Sequence, residues 1–234
     1  MARDIVVVHS SDLHIDDAYT ARLHGGDGTA GLAAVLGAAA RLHADAVVLA
    51  GDTFESHRLP AALLDDAAAL IASAAMPIVL LPGNHDPLIA DSVYHHGSLA
   101  RAANLHVIGL GPHESVVLAD LGLEVWGRPH RDYSDMIPLE RPRARSTRWQ
   151  IAVAHGHYVP NPDRSTRLRP AWLIGDEELA ATGADYIALG HWNRGAKVGR
   201  AAYYSGSPEY AGTVNVVRLK ADGNIEVSRT ELGL

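Results

Sequence analysis

Five short apolar runs in this chain each end on a polar cluster, and that coincidence constrains the fold more than any other feature. Ile5–Val8 leads to Asp12 and His14, Ala46–Ala50 to Asp52, and Pro77–Leu81 to Asn84 and His85. Ile151–Ala154 leads to His155, and Tyr186–Leu189 to His191. A run of four or five aliphatic residues, rich in β-branched side chains, reads as a strand buried on both faces. Strands of this kind that alternate with helices lie parallel, and ligands bind at the rim beyond their carboxyl ends. Residues separated by most of the chain are then expected to meet at one place.

Helical segments fall where that topology requires them. Gly28–Leu42 is rich in Ala and Leu, and a second helix starts at Pro60, suited to a first turn, and runs to about Ala74. Further strands are expected at Leu105–Ile108 and Leu123–Trp126, and a further helix at Asp176–Ala181. The tail, Ala201–Ser205, Val214–Leu219 and Ile225–Arg229, reads as antiparallel strands with Asp222-Gly223 as a hairpin turn. The early strands predict a parallel sheet and the later ones a second, mixed sheet. The basic stretch Arg141–Arg148 reads as a loop between strands. With 234 residues and 47% hydrophobic content, the chain is expected to form one α/β domain over residues 1–234.

Composition narrows the chemistry. There is no cysteine and there are 14 histidines, so any metal is held by nitrogen and oxygen. The formal charge of −7 is opposite to that of a protein that lives on DNA phosphates. Nucleic-acid contact would have to come from local patches or from metals. The apolar run near the start is too short for a signal-peptide core or membrane span, so a soluble, cytoplasmic protein with no membrane partner is expected.

Each cluster has its own reading. Asp12 and His14 are two residues apart and can point the same way to chelate one cation; a solvated Asp beside a chance His is the alternative. Asp52 follows Gly51, and its two oxygens can bridge two metals, although taken on its own a turn Asp capping the next helix is the favoured reading. Gly83-Asn84-His85-Asp86 is the most specific cluster. Asn84 offers an amide oxygen, His85 a proton or hydrogen bond, and Asp86 a partner for the second ring nitrogen of His85. His155 and His191 occupy equivalent strand-end positions and are read together as imidazole ligands. His157 is open to three roles: ligand, substrate contact, or none.

In this order, Asp12-x-His14, Gly51-Asp52, Gly83-Asn84-His85-Asp86, His155 and Gly190-His191 resemble the motifs of the calcineurin-like metallophosphoesterases, from about Ile5 to Ser207. His9-Ser-Ser-Asp-Leu-His14, Ala50-Gly-Asp-Thr-Phe54, Ala188-Leu-Gly-His191 and Tyr204-Ser-Gly-Ser-Pro208 resemble more narrowly the SbcD-type DNA-repair exonuclease group. The resemblance implies a four-layer αββα sandwich with two divalent cations at the sheet edge. Asp12, His14 and Asp52 would hold the first cation; Asp52 would bridge to the second, completed by Asn84, His155 and His191. His85, oriented by Asp86, would contact the phosphoryl oxygen or protonate the leaving group. The family's last motif is usually Gly-His-x-His, whereas Asn193 stands here at the final position. That substitution implies a looser first site favouring Mn²⁺ or Fe²⁺, or one that water completes; Zn²⁺ and Ni²⁺ are further candidates. The extra domains of the repair group are expected to be absent.

The implied activity is phosphoester hydrolysis, with hydroxide generated between the two metals attacking phosphorus in line. The closer resemblance favours a nucleotide or short-DNA diester. A small-molecule phosphomonoesterase and a non-catalytic binding module on the same sandwich are the alternatives. Arg128, Arg131, Arg143 and Arg145 could meet substrate phosphates or simply be solvated.

Overall fold

The computed structural model describes residues 3–16, 18–165 and 169–234. In chain order the elements are β1 (Ile5–Ser10), α1 (Ala18–Leu23), α2 (Ala30–Arg41), β2 (Ala46–Ala50), α3 (Ala61–Ser73), β3 (Ile78–Leu81), β4 (Leu105–Val107), β5 (Ser115–Leu118) and β6 (Leu123–Gly127). There follow β7 (Trp149–His155), β8 (His157–Tyr158), β9 (Leu173–Ile174), α4 (Asp176–Ala181), β10 (Tyr186–Gly190), β11 (Ala196–Val198), β12 (Ala202–Tyr204), α5 (Pro208–Ala211), β13 (Thr213–Leu219) and β14 (Ile225–Glu231).

Two six-stranded sheets face each other. The first runs β14-β13-β1-β2-β3-β4 and the second β11-β12-β10-β7-β6-β5. Side chains alternate between the faces of a strand, so each sheet divides its apolar residues between two cores. Val7, Val48, Val79 and Leu81 of the first sheet meet Val125, Ile151, Val153 and Ala188 of the second in the inter-sheet core. The opposite faces of β1–β3 present Val8, Leu49 and Leu80 to Leu32 and Val35 of α2 and Ile71 of α3. On the far side, Ala152, Ile187 and Ala202 pack on Leu179 of α4. Helix, sheet, sheet and helix make the four layers of an αββα sandwich. Among the described residues, no helix is long and apolar enough to cross a membrane.

The tail differs from the expected arrangement. β13 pairs antiparallel with β1, Val7 opposite Val217, so β13 and β14 extend the first sheet and not the second. Both faces of β13 are wanted there: Val214 and Val216 face the helices while Val217 and Leu219 face the second sheet. β12 pairs parallel with β10, Ile187 opposite Ala202, and antiparallel only with β11. The hairpin at Asp222-Gly223 forms as expected, with Gly223 at φ 96°. The Arg141–Arg148 segment is the connection between β6 and β7.

Candidate metal centre

The loops beyond β1 and β2 are laced together. The amide of Asp12 donates to Gly51 O (3.0 Å), that of His14 to Asp52 O (3.1 Å), and that of Ile15 to Thr53 O (3.0 Å). This pairing carries both segments past the sheet edge side by side. Left-handed backbone marks it: Asp12 (φ 55°), His14 (45°), Asp52 (50°) and His191 (101°) all have positive φ. Such conformations are sparsely populated for residues with a Cβ and persist only where surrounding contacts enforce them, typically at functional sites. Close backbone approach is part of that enforcement. A Cβ on Gly190 would lie 1.9 Å from Ala50 O, and one on Gly51 2.2 Å from His155 Nδ1.

Two triads of ligand atoms result, His14–Asp52–His85 and Asp52–His155–His191, the atoms of each lying within 4.8 Å of one another. Asp52 belongs to both. His155 Nε2 lies 3.0 Å from Asp52 Oδ2 and 3.1 Å from Asn84 Oδ1, which brings Asn84 to the second triad. Asp12 is in neither triad; its carboxylate accepts the His191 amide, at 2.9 and 3.1 Å. Asn193 lines a cavity of ≈ 200 Å³ with Asp12, His14, Glu55, Ser207, Glu209 and Tyr210. Asp12, His14, Asp52, Asn84, His155, His191 and Asn193 are therefore at this rim, and His85, expected at the substrate, stands within the first triad. The larger clefts, ≈ 560 Å³ each, lie beside α2 and α3 and beside α4 and hold none of these residues.

Burial sharpens the electrostatics. Asp12, Asp52 and His155 are at most 2% exposed. Burial and the neighbouring Asp52 push Asp12 up to about 6, against the pull of His155. Burial would raise Asp52 too, yet the His155 ring holds it well below the usual carboxylate range. Burial opposes a charge on His155, but Asp52 and Asp12 outweigh it and raise the ring to about 9. His191 is pushed down to about 4 by burial and by His155. The His155 ring thus stands beside two buried carboxylates, with Asp52 at 3.0 Å. A divalent cation fits the same place, since carboxylate, amide oxygen and imidazole are its hard and borderline donors and no thiolate competes.

Asp86 requires a correction. Its carboxylate does not reach the His85 ring. It is fully buried and accepts the amides of Gly83 (2.7 Å), Thr53 (2.9 Å) and Phe54 (3.0 Å) and the Tyr94 hydroxyl (2.5 Å). Asp86 shapes the loop that carries His85 rather than the ring itself. The place beside the ring belongs to Glu55, whose carbonyl lies 3.1 Å and carboxylate 3.5 Å from His85 Nδ1. The other carboxylate oxygen of Glu55 is 2.7 Å from His14 Nδ1. The sequence reading missed Glu55, although its position three residues after Asp52 was a usable signal.

The indole N–H of Trp192 donates to His157 Nδ1 at 3.0 Å. Indole can only donate, so Nδ1 is the acceptor in this pair. Trp192 is itself stacked on Tyr204, 4.2 Å between centroids at 6°. The four arginines considered as phosphate contacts are engaged elsewhere: Arg128 with Glu140 (2.6 Å), Arg131 with Glu114 (3.0 Å), Arg143 with Glu124 (2.5 Å) and Arg145 with Asp185 (2.6 Å).

The profile of the calcineurin-like phosphoesterases matches residues 5–195. The chain belongs to the calcineurin-like phosphoesterase family. As a member of this family it is a phosphoester-hydrolysing enzyme. It is similar to the SbcD component of the nuclease SbcCD of Bacillus subtilis (strain 168), 29% identical over 221 residues, covering 75% of this chain and 56% of that protein. The chain thus spans little more than half the length of that relative. Among solved structures, TT1561 of Thermus thermophilus superposes with a TM-score of 0.58 at 12% identity, covering 99% of this chain and 100% of that one. A second gives a TM-score of 0.59 at 13% identity over 97% and 99%. Likeness at such identity speaks for a shared fold alone.

Proposed function

We propose that this calcineurin-like phosphoesterase is a dinuclear-metal phosphodiesterase acting on nucleotide or nucleic-acid diesters. The observation that carries the reading is Asp52, the one carboxylate common to both ligand triads. In this proposal His14, Asp52 and Asp12 hold the first cation, with Asn193 as a weaker amide donor, and Asp52, Asn84, His155 and His191 hold the second. Mn²⁺ suits this nitrogen and oxygen set, with Fe²⁺, Zn²⁺ and Ni²⁺ as competitors. Two bound cations supply Lewis acidity that acidifies water and neutralises the non-bridging phosphoryl oxygens.

The chain's own residues do the rest. Glu55 holds His14 Nδ1 through its carboxylate, as carboxylate–histidine pairs do at metal sites, and His85 Nδ1 through its backbone carbonyl, with the carboxylate 3.5 Å away. His85 donates from Nδ1 to Glu55 O, so Nε2 faces the substrate and, when the ring is protonated, delivers a proton to the leaving oxygen. His157, beside Trp192 and His191, is placed as a substrate contact. The motif likeness to the SbcD-type relative supports a diester substrate.

The test is hydrolysis of bis-p-nitrophenyl phosphate and p-nitrophenyl phosphate by protein stripped of metal and resupplied with Mn²⁺, Mg²⁺, Zn²⁺ or Ni²⁺, with metal content measured. The expected result is metal-dependent turnover with the diester favoured, lost reversibly in chelator. Turnover in demetallated protein would sink the metal role, and preference for the monoester would sink the diester assignment.

A further inference from the structure

The rim of the cavity that holds Asp12, His14 and Asn193 carries an aromatic pair that the chemistry above does not use. Tyr210, on α5, lines that cavity. Tyr19, on α1, lies against it, ring centroids 6.3 Å apart and planes at 17°. Both rings keep most of their surface in water, Tyr19 at 51% and Tyr210 at 59% exposure. Leu23, one helical turn on from Tyr19, is exposed as well. Among the described residues, neither tyrosine belongs to an apolar core. Packing therefore does not explain why two large rings lie nearly parallel beside the site.

Their mounting is fixed. The Ser207 amide donates to Asn193 O at 3.3 Å, which ties the start of α5 to the loop bearing His191. Glu209 lines the same cavity and pairs with His24 just beyond α1, at 2.7 Å. The two short helices that present the rings are thus joined to each other and to the site. Arg128, Arg131, Arg143 and Arg145 are already paired and the chain is acidic overall, so a non-ionic contact suits the organic part of a substrate. Aromatic faces bind any planar ring by stacking, without regard to sequence.

We infer that Tyr210 and Tyr19 form a stacking subsite for a planar aromatic group carried by the phosphoester, either a nucleobase or an aryl alcohol. This rests on the phosphoester reading above, and it is tested by binding so that the two can fail separately. The Mg²⁺-loaded protein, tyrosine rings isotopically labelled, is titrated with thymidine 5′-monophosphate, phenyl phosphate and ribose 5-phosphate. The Tyr19 and Tyr210 ring resonances are expected to shift with the aromatic phosphates and not with ribose 5-phosphate. Tyr210→Ala should weaken the aromatic ligands about tenfold, or ~1.4 kcal/mol, and leave ribose 5-phosphate unchanged, while Tyr210→Phe retains the preference. Shifts with thymidine monophosphate alone assign the subsite to nucleobases; shifts with phenyl phosphate alone assign it to aryl esters. Equal affinity for all three ligands, or an aromatic preference that survives Tyr210→Ala, overturns the subsite. Shifts without hydrolysis by any metal would leave the subsite standing and remove the phosphodiesterase reading.

Discussion

The carboxylate of Asp12 accepts the backbone amide of His191 at 2.9 Å, joining the end of the first strand to a loop 179 residues later. This bond ties the first sheet to the second at the rim, and it sets the plane of the carboxylate. Asp12→Asn keeps one oxygen for the amide while removing the negative charge. The fold should survive, with Tm changed little, whereas Mn²⁺ affinity by calorimetry and turnover of bis-p-nitrophenyl phosphate should each fall by at least about 100-fold. Unchanged Mn²⁺ binding would exclude Asp12 as a ligand.

Asp86 predicts the opposite pattern. It is buried with three backbone amides and the Tyr94 hydroxyl as its partners. Asp86→Ala would strand those donors in a dry interior and should destabilise the protein by about 3–5 kcal/mol, read from denaturant unfolding. Tyr94→Phe removes one partner and should have a smaller effect, ~1–2 kcal/mol. A catalytic defect in Asp86→Ala without loss of stability would contradict the positioning role.

Glu55 separates from both, because it contacts two imidazoles and is partly exposed. Glu55→Gln preserves its size and one hydrogen-bonding oxygen. We expect kcat to fall about 10–100-fold with Tm nearly unchanged. An unchanged kcat would show that Glu55 does not position the two rings.

Acid stability should report on His9, which lies one residue before the end of β1 and in neither ligand triad. Its ring is fully buried between Tyr186 and Asn215, and burial, aided by Arg229, pushes it down to about 3. The folded state therefore binds the His9 proton less readily than the unfolded chain, whose value is near 6.5. Stability from this group is complete above pH 6.5 and is lost as pH falls toward 3, by about 1.4 kcal/mol per pH unit at most. His9→Gln should take up about one proton fewer on unfolding at pH 5, measured from the slope of unfolding free energy against pH. Parallel slopes for the two proteins would refute the assignment.

The strands that carry the site were legible because burial on both faces leaves an unmistakable apolar run. The polar residues after β1, β2, β3, β7 and β10 then had to share one edge. Less was legible where the governing contacts are non-local. β5 and β11 sit at a sheet edge with half-exposed residues, and α1 and α5 span 6 and 4 residues, too short for periodicity to show. The sheet membership of β13 depends on its pairing with β1, more than 200 residues away, which alternation cannot encode. Asp86 was misassigned for a related reason: adjacency to His85 in sequence suggested a ring partner, but its carboxylate turns inward to amides 33 residues back.

The donors for the proposed cations come from opposite leaves of the sandwich: Asp12, His14, Asp52 and Asn84 from one, His155 and His191 from the other. A divalent ion seated there would act as a rivet through two separately formed halves. Loading should accordingly slow sheet separation more than it alters either leaf, and a chain missing its later strands would have nothing to clasp.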